Sequence, residues 1–286
     1  MDISFQVQII VNGLVLGFYY ALVGAGFTLV FGICRIFNFA HGELYMLGGF
    51  ATYYLFERLG INYPTTVILV IVIVSVLGII MERIFYRPVY GTMYASFMVA
   101  LGLQLAISGA ALVIFGEEMR GGIKIFPGLV NLLGATVTWE RLAIIFTGAA
   151  VVGALLFFIH HTKTGREFRA VAQNPIGAAL QGIDITRSRA KAFMISAGLA
   201  GVAAVLVIQI FYVDAFVGGP VIFKAMTVVI LGGLGSIPGA IVGGLTLGMA
   251  DSVGYTLIGH SAEIIIWAIV ILVLLLRPRG ILGKEE

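Results

Sequence analysis

Long apolar stretches follow one another through most of the chain, separated by short connections. A run of about 20 apolar residues can cross a bilayer as a helix, and backbone exposed to lipid must satisfy its hydrogen bonds within such a helix unless it closes a barrel. The pattern therefore predicts an all-α, polytopic membrane protein with eight or nine membrane-spanning helices. The predicted spans are 7–32, 38–57, 64–84, 93–115, 139–160, 190–212, 220–235, 237–258 and 261–277.

The run at 220–235 decides between eight and nine crossings. It is short and glycine-rich at its end, and Pro238 follows it, so a re-entrant segment is the alternative to a full span. Many of the 38 glycines lie inside apolar runs, where small residues let helices pack closely. A second interpretation stays open for 232–244, in which the glycines mark broken helices that border a pathway.

The composition excludes a water-soluble globule, because 60% of the residues are hydrophobic and only 11% are charged. Ordinary soluble domains have about 25% charged residues. Nine spans of about 20 residues leave no room for a separate catalytic domain. We therefore predict one transmembrane domain over 1–286, with a cytoplasmic loop at about 161–189.

The formal net charge of +3 comes from 17 Lys and Arg residues against 14 Asp and Glu residues. Twelve of these basic residues fall at one alternating set of predicted span ends, as the positive-inside rule expects of cytoplasmic loops. With nine crossings, this places the N-terminus outside and the C-terminus in the cytoplasm, so the charge indicates topology rather than nucleic-acid binding. The residues are Arg35, Arg83, Arg87, Lys163, Arg166, Arg169, Arg187, Arg189, Lys191, Arg277, Arg279 and Lys284.

Enzyme motifs are missing from the sequence. It contains no G-x-x-x-x-G-K-[ST] phosphate loop, no G-x-S-x-G, no H-E-x-x-H and no Cys/His cluster with metal-ligand spacing. Its one cysteine, Cys34, can form no disulfide within the chain. We therefore predict no catalytic residues, no bound cofactor or metal, and no ATP hydrolysis by this chain itself.

The most informative polar segment is the 161–189 loop. Asn174 before Pro175 is typical of a helix start, because the Asn side chain can cap free N–H groups and proline fits the first helical position. Gly182 can take the left-handed conformation that ends a helix. These residues predict a helix of about two turns at 175–181.

The residues upstream, 164–173, are also helical in composition and carry the positive charges of Arg166 and Arg169. A solvated connector is one interpretation of this loop. Docking onto a partner protein is the other, because the short helix offers small and apolar contacts, Ala178, Ala179 and Leu180.

Polar groups in hydrocarbon are expensive unless they face the protein interior or a cavity, and four polar residues within or beside predicted spans are candidates for such positions. For Asn38, capping the second span is the alternative to a substrate contact. His41 and Glu43 lie two residues apart and point in different directions on a helix, so at most one of them faces the substrate. We hypothesise that these residues lie along or beside a substrate pathway: Asn38, His41, Glu43 and Asp251.

Three motifs together carry a family resemblance. They are N-F-A-H-G-E at 38–43, G-R-x-x-R-A at 165–170 with G-I-D at 182–184, and L-G-G-L-G-S-x-P-G-A at 231–240. They resemble the permease subunits of bacterial branched-chain amino acid ABC importers, in order and over essentially the whole chain. Of the two paired permease types in that family, the chain is more similar to the shorter one, in the form of the first motif and in having no extra N-terminal spans.

The resemblance implies a division of labour in the bacterial inner membrane. A second, paralogous permease subunit would complete the membrane core, two cytoplasmic ABC ATPases would use ATP, and an extracytoplasmic binding protein would deliver the substrate. Relatives of this kind import leucine, isoleucine and valine, and similar systems carry urea or short amides. The 164–184 segment would be the coupling loop, with its short helix in an ATPase cleft, and its residues would be Arg166, Arg169, Asn174, Pro175, Ala178, Ala179, Gly182 and Asp184.

An ion-coupled secondary transporter or channel is the alternative from another functional class. In that interpretation His41, Glu43 and Asp251 would be ion or proton sites. The two classes differ in their energy source, because ion-coupled uptake collapses with an ionophore and needs no ATPase.

Overall fold

The computed structural model describes residues 3–126, 128–277 and 280–282. Within these ranges each predicted apolar run forms a helix, which confirms the all-α polytopic class. Six helices are long and apolar enough to cross a membrane. Of the basic residues that support the predicted topology, Arg279 and Lys284 lie outside the described residues.

The long helices are α1 (Ile3–Cys34), α3 (Tyr63–Met81), α4 (Met93–Phe115), α5 (Trp139–His161), α8 (Ile185–Val207) and α10 (Ile237–Ile258). The shorter ones are α2 (His41–Tyr53), α9 (Gly218–Gly232) and α11 (Ala262–Leu276), and the loop after α5 holds α6 (Lys163–Gln173) and α7 (Pro175–Leu180). Turns of π-helix follow α2 (Tyr54–Arg58) and α3 (Glu82–Tyr86), and 3-10 turns lie at Arg87–Val89 and Gly259–Ser261.

Several boundaries differ from the predicted ones by a few residues, and three of these differences have a local reason. The second span begins at His41 rather than at 38, because a non-helical connection that starts at Arg35, with a φ of 56°, precedes it. The sixth begins at Ile185 rather than at 190, because Asp184 caps it. The seventh ends at Gly232, where Gly233 takes a φ of 108°.

The α9 helix is short for a membrane-spanning helix, as is α11, which has the same number of residues. Its 15 residues correspond to about 22 Å, whereas the hydrocarbon core of a bilayer is about 30 Å thick. Strand β4, at the end of the bundle where α1 begins, precedes α9, and the 235–238 segment that follows α9 lies beside Arg169 of α6 at the opposite end. The chain therefore passes from one end of the bundle to the other through α9, and its short length does not by itself make the segment re-entrant.

Two helices form the centre of the fold. Most residues of α1 and α8 are buried, and α1 packs against α5, α8, α9 and α10. By contrast, most residues of α3, α4 and α5 are at least partly exposed, as is typical of helices that face lipid.

Glycines set the closest helix crossings. A Cβ atom on Gly248 of α10 would collide with the backbone of Gly17 on α1, and a Cβ atom on Gly232 of α9 would collide with the backbone of Gly239 on α10. Small residues at such crossings allow the helix backbones to touch. The close-packing interpretation of the glycines is therefore confirmed at these positions.

Two short antiparallel sheets lie at the end of the helical bundle where α1 begins. Strands β2 (Leu129–Leu132) and β3 (Ala135–Thr138) form a hairpin before α5. Strand β1 (Arg120–Gly121) pairs with β4 (Tyr212–Val213), which joins the α4–α5 connection to the α8–α9 connection. The apolar pattern did not predict these strands, because each is only two to four residues long.

Candidate functional site

His41 is the first residue of α2, and its side chain is fully enclosed. Its Nε2 atom lies 3.1 Å from the carbonyl oxygen of Val23 on α1, and its Nδ1 atom lies 3.3 Å from the hydroxyl of Ser196 on α8. The absence of a side chain at Gly26 makes room for the ring. His41 therefore occupies a packed junction of three helices.

Asn38 lies in the connection before α2 and is buried. Its Oδ1 atom accepts a hydrogen bond of 2.7 Å from the Tyr86 hydroxyl, while its Nδ2 atom has no hydrogen-bond partner among the described residues. The N-cap of α2 is Ala40, with no side-chain cap. The alternative that Asn38 caps the second span is therefore wrong, because the helix begins three residues later than predicted.

Glu43 points toward a different helix from His41, as their spacing predicts. Its carboxylate lies against Gly218 in the first turn of α9, where a Cβ atom would collide with it. The side chain is buried, and its Oε2 atom has no hydrogen-bond partner in the described part of the chain. A carboxylate next to a helix N-terminus is favoured by the helix dipole, and the contact brings the start of α2 next to the start of α9.

Asp251 on α10 is the centre of a buried polar cluster. Its Oδ2 atom accepts a hydrogen bond of 2.6 Å from the Tyr20 hydroxyl on α1. The ammonium group of Lys224 on α9 lies 3.0 Å from the same oxygen and 3.3 Å from Oδ1. Three helices therefore meet at one ion pair, which we call the Lys224–Asp251 pair.

The Lys224–Asp251 pair lines a cavity of about 440 Å³. Most of the other walls are aromatic or aliphatic, and they include Tyr19, Tyr45 and Phe211. We call this the aromatic cavity. Its volume lies within the range of about 300 to 1,000 Å³ that is typical of small-molecule sites.

A second cavity of about 230 Å³ adjoins the first and shares Asp251 with it. Its lining includes Asn12, Arg141 and Thr256. Asn12 precedes Tyr20 by about two helical turns, so the adjoining cavity lies closer to the end of the bundle where α1 begins.

Sequence reasoning missed Lys224. It lies inside a predicted span, at 220–235, and a lysine at membrane depth requires a partner or a water-filled cavity. Its isolated position in an apolar run was the available signal. Of the four predicted pathway residues, the structure places only Asp251 on a wall of the cavities described above, and it brings Asp251 together with Lys224 rather than with the other three.

The 161–189 loop folds into two helices, which confirms both predicted elements. Thr162 caps α6 by accepting a hydrogen bond of 3.0 Å from the Gly165 N–H, and Asn174 caps α7 by accepting one of 2.9 Å from the Gly177 N–H. Gly182 ends this segment with a φ of 81°.

The exposed face of α7 differs from the predicted one. Ala178 is buried against α8, with 4% of its surface exposed, so it is not available as a surface contact. Ala179 is exposed, and two large apolar side chains accompany it: Ile176 is 75% exposed and Leu180 is 82% exposed. Ile176 was missed, because the sequence does not indicate which side of a six-residue helix faces the bundle.

Three contacts tie α6 to membrane-spanning helices. The Arg169 guanidinium donates a hydrogen bond to the Ile159 carbonyl on α5. Lys191 on α8 forms a salt bridge of 3.1 Å with Glu167 on α6. The Arg35 guanidinium, just after α1, donates a hydrogen bond of 3.0 Å to the carbonyl of residue 172.

The remaining predicted loop residues lie at the surface or act as caps. Arg166 is exposed, as are Asn174 and Pro175 at the start of α7. Asp184 accepts a hydrogen bond of 3.0 Å from the Arg187 N–H and thereby caps α8. A further cavity of about 290 Å³ lies beneath α6 and is lined by Arg169 and the 235–238 break between α9 and α10. The helical break predicted within 232–244 is therefore present and lies beside a cavity, while its place along a substrate pathway stays a prediction.

Known proteins are similar to this sequence over nearly its whole length. The pattern of the family described as branched-chain amino acid transport system / permease component matches residues 9–276. The high-affinity branched-chain amino acid transport system permease protein BraD of Pseudomonas aeruginosa is 33% identical over 301 residues, covering 100% of this chain and 98% of that protein. The corresponding protein LivH of Escherichia coli is 34% identical over 292 residues, covering 96% of this chain and 94% of that one.

Among solved structures, PsaBC from Streptococcus pneumoniae in complex with Fab has a TM-score of 0.49 and 14% sequence identity, covering 96% of this chain and 92% of that chain. The family pattern and both sequence relatives cover nearly all of the membrane-spanning helices described above. The chain is a multi-pass membrane protein that belongs to the branched-chain amino acid transport permease family.

Proposed function

We propose that this chain is the permease subunit of an ATP-driven importer and forms part of a pathway for branched-chain amino acids across a bacterial inner membrane. Its partners in this proposal are a second permease subunit, two cytoplasmic ABC ATPases and an extracytoplasmic binding protein. Family membership supports the permease role, and the names of the relatives support the substrate. ATP hydrolysis belongs to the ATPase subunits.

The exposed apolar face of α7 is the observation that supports ATP hydrolysis by a partner subunit as the energy source. Ile176 and Leu180 project from a helix that lies outside the membrane-spanning elements, while contacts to α1, α5 and α8 hold the neighbouring α6 in place. A solvated connector does not account for two large exposed apolar side chains at the tip of a capped, tethered segment. Docking onto an ATPase would cover them.

The positive-inside rule supports the orientation. Lys163, Arg166, Arg187 and Lys191 surround the α6–α7 segment, and basic residues are enriched in cytoplasmic loops. In this orientation α7 faces the cytoplasm and the N-terminus lies outside. The aromatic cavity and the adjoining cavity then lie toward the extracytoplasmic side.

Reconstitution with the partner subunits tests the proposal. In proteoliposomes, the assembled transporter should take up L-leucine only with ATP and the loaded binding protein, and an ionophore should leave the rate unchanged. Uptake by this chain without ATPases, driven by an ion gradient and abolished by an ionophore, would establish the secondary-transporter alternative instead.

Variants of α7 test the docking surface in the same preparation. The double variant Ile176→Asp/Leu180→Asp should lose most of the co-purifying ATPase, because charged side chains would then face an apolar cleft. The conservative variant Ile176→Val/Leu180→Met keeps the apolar face and should retain the ATPase. Equal retention by both variants would contradict the docking role.

A further inference from the structure

The Lys224–Asp251 pair is unusual in its place within the fold. Both residues belong to apolar helices, and charges at membrane depth are costly even when paired. A buried pair can often be replaced by apolar residues without loss of stability, so holding α9 against α10 is a weak reason for its presence. Other buried polar residues of the bundle, such as His41, are enclosed on all sides, whereas this pair lines a cavity.

The exposure of the two partners differs. The Asp251 side chain is 1% exposed, and the Tyr20 hydroxyl holds it in place. The Lys224 side chain is 19% exposed and carries its ammonium on a flexible four-carbon stem. Lys224 can therefore move within the aromatic cavity while Asp251 stays fixed.

A zwitterionic amino acid matches this pair in charge. Its ammonium group needs an anionic partner and its carboxylate needs a cationic one, and Asp251 and Lys224 supply both at one wall of the cavity. The amino acid and the ion pair each have zero net charge. Binding therefore exchanges one ion pair for two and adds no net charge to the low-dielectric interior.

The walls beside the pair match an apolar side chain. The Tyr19 and Tyr45 rings lie 5.6 Å apart, measured between their centroids, and both line the aromatic cavity with Phe211 and Val221. Such a surface removes a branched aliphatic side chain from water without requiring a specific hydrogen bond. The adjoining cavity shares Asp251 and lies on the side of the aromatic cavity toward the end where α1 begins.

We infer that the Lys224–Asp251 pair is a transit site for a zwitterionic amino acid, with Asp251 binding the ammonium, Lys224 binding the carboxylate and the aromatic cavity enclosing an aliphatic side chain. This inference rests on the proposed permease function. Tyr20 is a positioning residue, because it holds the Asp251 carboxylate at 2.6 Å.

The first test removes both charges together. In Lys224→Met/Asp251→Asn, the Asn still offers an acceptor to the Tyr20 hydroxyl, and no unpaired charge is left behind. The assembled transporter carrying this chain is measured in proteoliposomes with radiolabelled L-leucine, ATP and the loaded binding protein. We expect leucine uptake per ATP hydrolysed to fall at least tenfold, while subunit assembly and the stimulated ATPase rate stay within twofold of the unaltered transporter.

A purely structural pair predicts a different result, because removing both charges would leave transport per ATP unchanged in the complexes that assemble. Uptake per ATP within twofold of the unaltered transporter would overturn the transit site and leave the proposed function intact. Failure of the unaltered transporter itself to take up leucine with ATP would instead refute the proposed function.

A second variant tests the aromatic wall independently of the charged pair. Phe211→Trp narrows the cavity at a residue that is already partly exposed, so folding should be unaffected. We expect the ratio of leucine to valine uptake to fall at least threefold, because leucine needs more room. The control is Phe216→Trp, an exposed aromatic residue that does not line this cavity, and its ratio should not change. An unchanged ratio in the Phe211→Trp transporter would overturn the assignment of the cavity.

Discussion

The same substitution, glycine to alanine, can be compared at two helical glycines. One lies at the crossing of α1 and α10, and the other lies away from it. Gly248 lies in α10, and a Cβ atom there would meet the backbone of Gly17 and of Leu16. Gly153 lies in α5, where a Cβ atom would meet no atom within 4 Å. Gly248→Ala and Gly153→Ala therefore make an identical chemical change in two different surroundings.

The difference in stability follows from the packing alone. Alanine is favoured over glycine in a helix interior by about 0.8–1.0 kcal/mol, and this gain is common to both variants. Adding a methyl group to a fully packed interior typically costs about 1–3 kcal/mol. Because the obstruction at Gly248 is backbone, no side-chain rotation relieves it. We expect the Gly248→Ala protein to be less stable than the Gly153→Ala protein by about 1–3 kcal/mol.

Thermal unfolding in detergent, followed by size-exclusion chromatography of the remaining monodisperse protein, measures this difference. With the scaling of soluble domains of comparable size, about 2–4 °C for each kcal/mol, the midpoints should differ by about 2–12 °C. The Gly153→Ala midpoint should equal or exceed that of the unaltered chain. Equal midpoints for the two variants would refute the close α1–α10 contact.

Three further predictions concern the orientation and the loop. In a Cys34→Ser background, Leu180→Cys should react with a membrane-impermeant thiol reagent only from the cytoplasmic side, and Leu133→Cys in the β2–β3 turn only from the other side; labelling of both from one side would contradict the topology. Asn174→Ala should weaken the start of α7 by about 1 kcal/mol and lower stimulated ATPase activity, whereas Asn174→Ser should retain the cap and the activity. Gly182→Val should impair ATPase stimulation, because valine in the left-handed conformation costs about 1–2 kcal/mol. Gly182→Asn should retain stimulation, because Asn tolerates that conformation. Similar activities for the two Gly182 variants would exclude a role for this turn.

The features that sequence predicted well are those set by neighbours along the chain. Asn174, Pro175 and Gly182 act on N–H groups and dihedral angles within a few residues, so the bounds of α7 follow from local rules. Apolar runs of bilayer length likewise predict helices whatever surrounds them. The fold class and the loop helices therefore required no tertiary information.

Features that depend on distant partners could not be read in the same way. Asp251 and Lys224 are 27 residues apart on different helices, and the partner of Asn38 is Tyr86, 48 residues away. The inward side of α7, where Ala178 packs, depends on how the loop lies against α8. Hydropathy marks such residues as costly at membrane depth but does not indicate which of them meet, or which face a cavity.

The glycines of α1 let this one helix pack closely along its length and make contacts toward both ends of the protein. A Cβ atom on Gly13, Gly24 or Gly26 would collide with a neighbouring residue, and one on Gly17 would be in tight contact with Leu245. The α1 helix continues unbroken through all four glycines. Tyr20 in this helix contacts the Lys224–Asp251 pair, and Arg35 at its end contacts α6. The two points are separated by 15 residues, or about 22 Å of helix. Arg35 lies one residue beyond the end of α1, and closely packed interiors transmit strain. In the proposed importer, a displacement of α6 by an ATPase would therefore reach the aromatic cavity along α1.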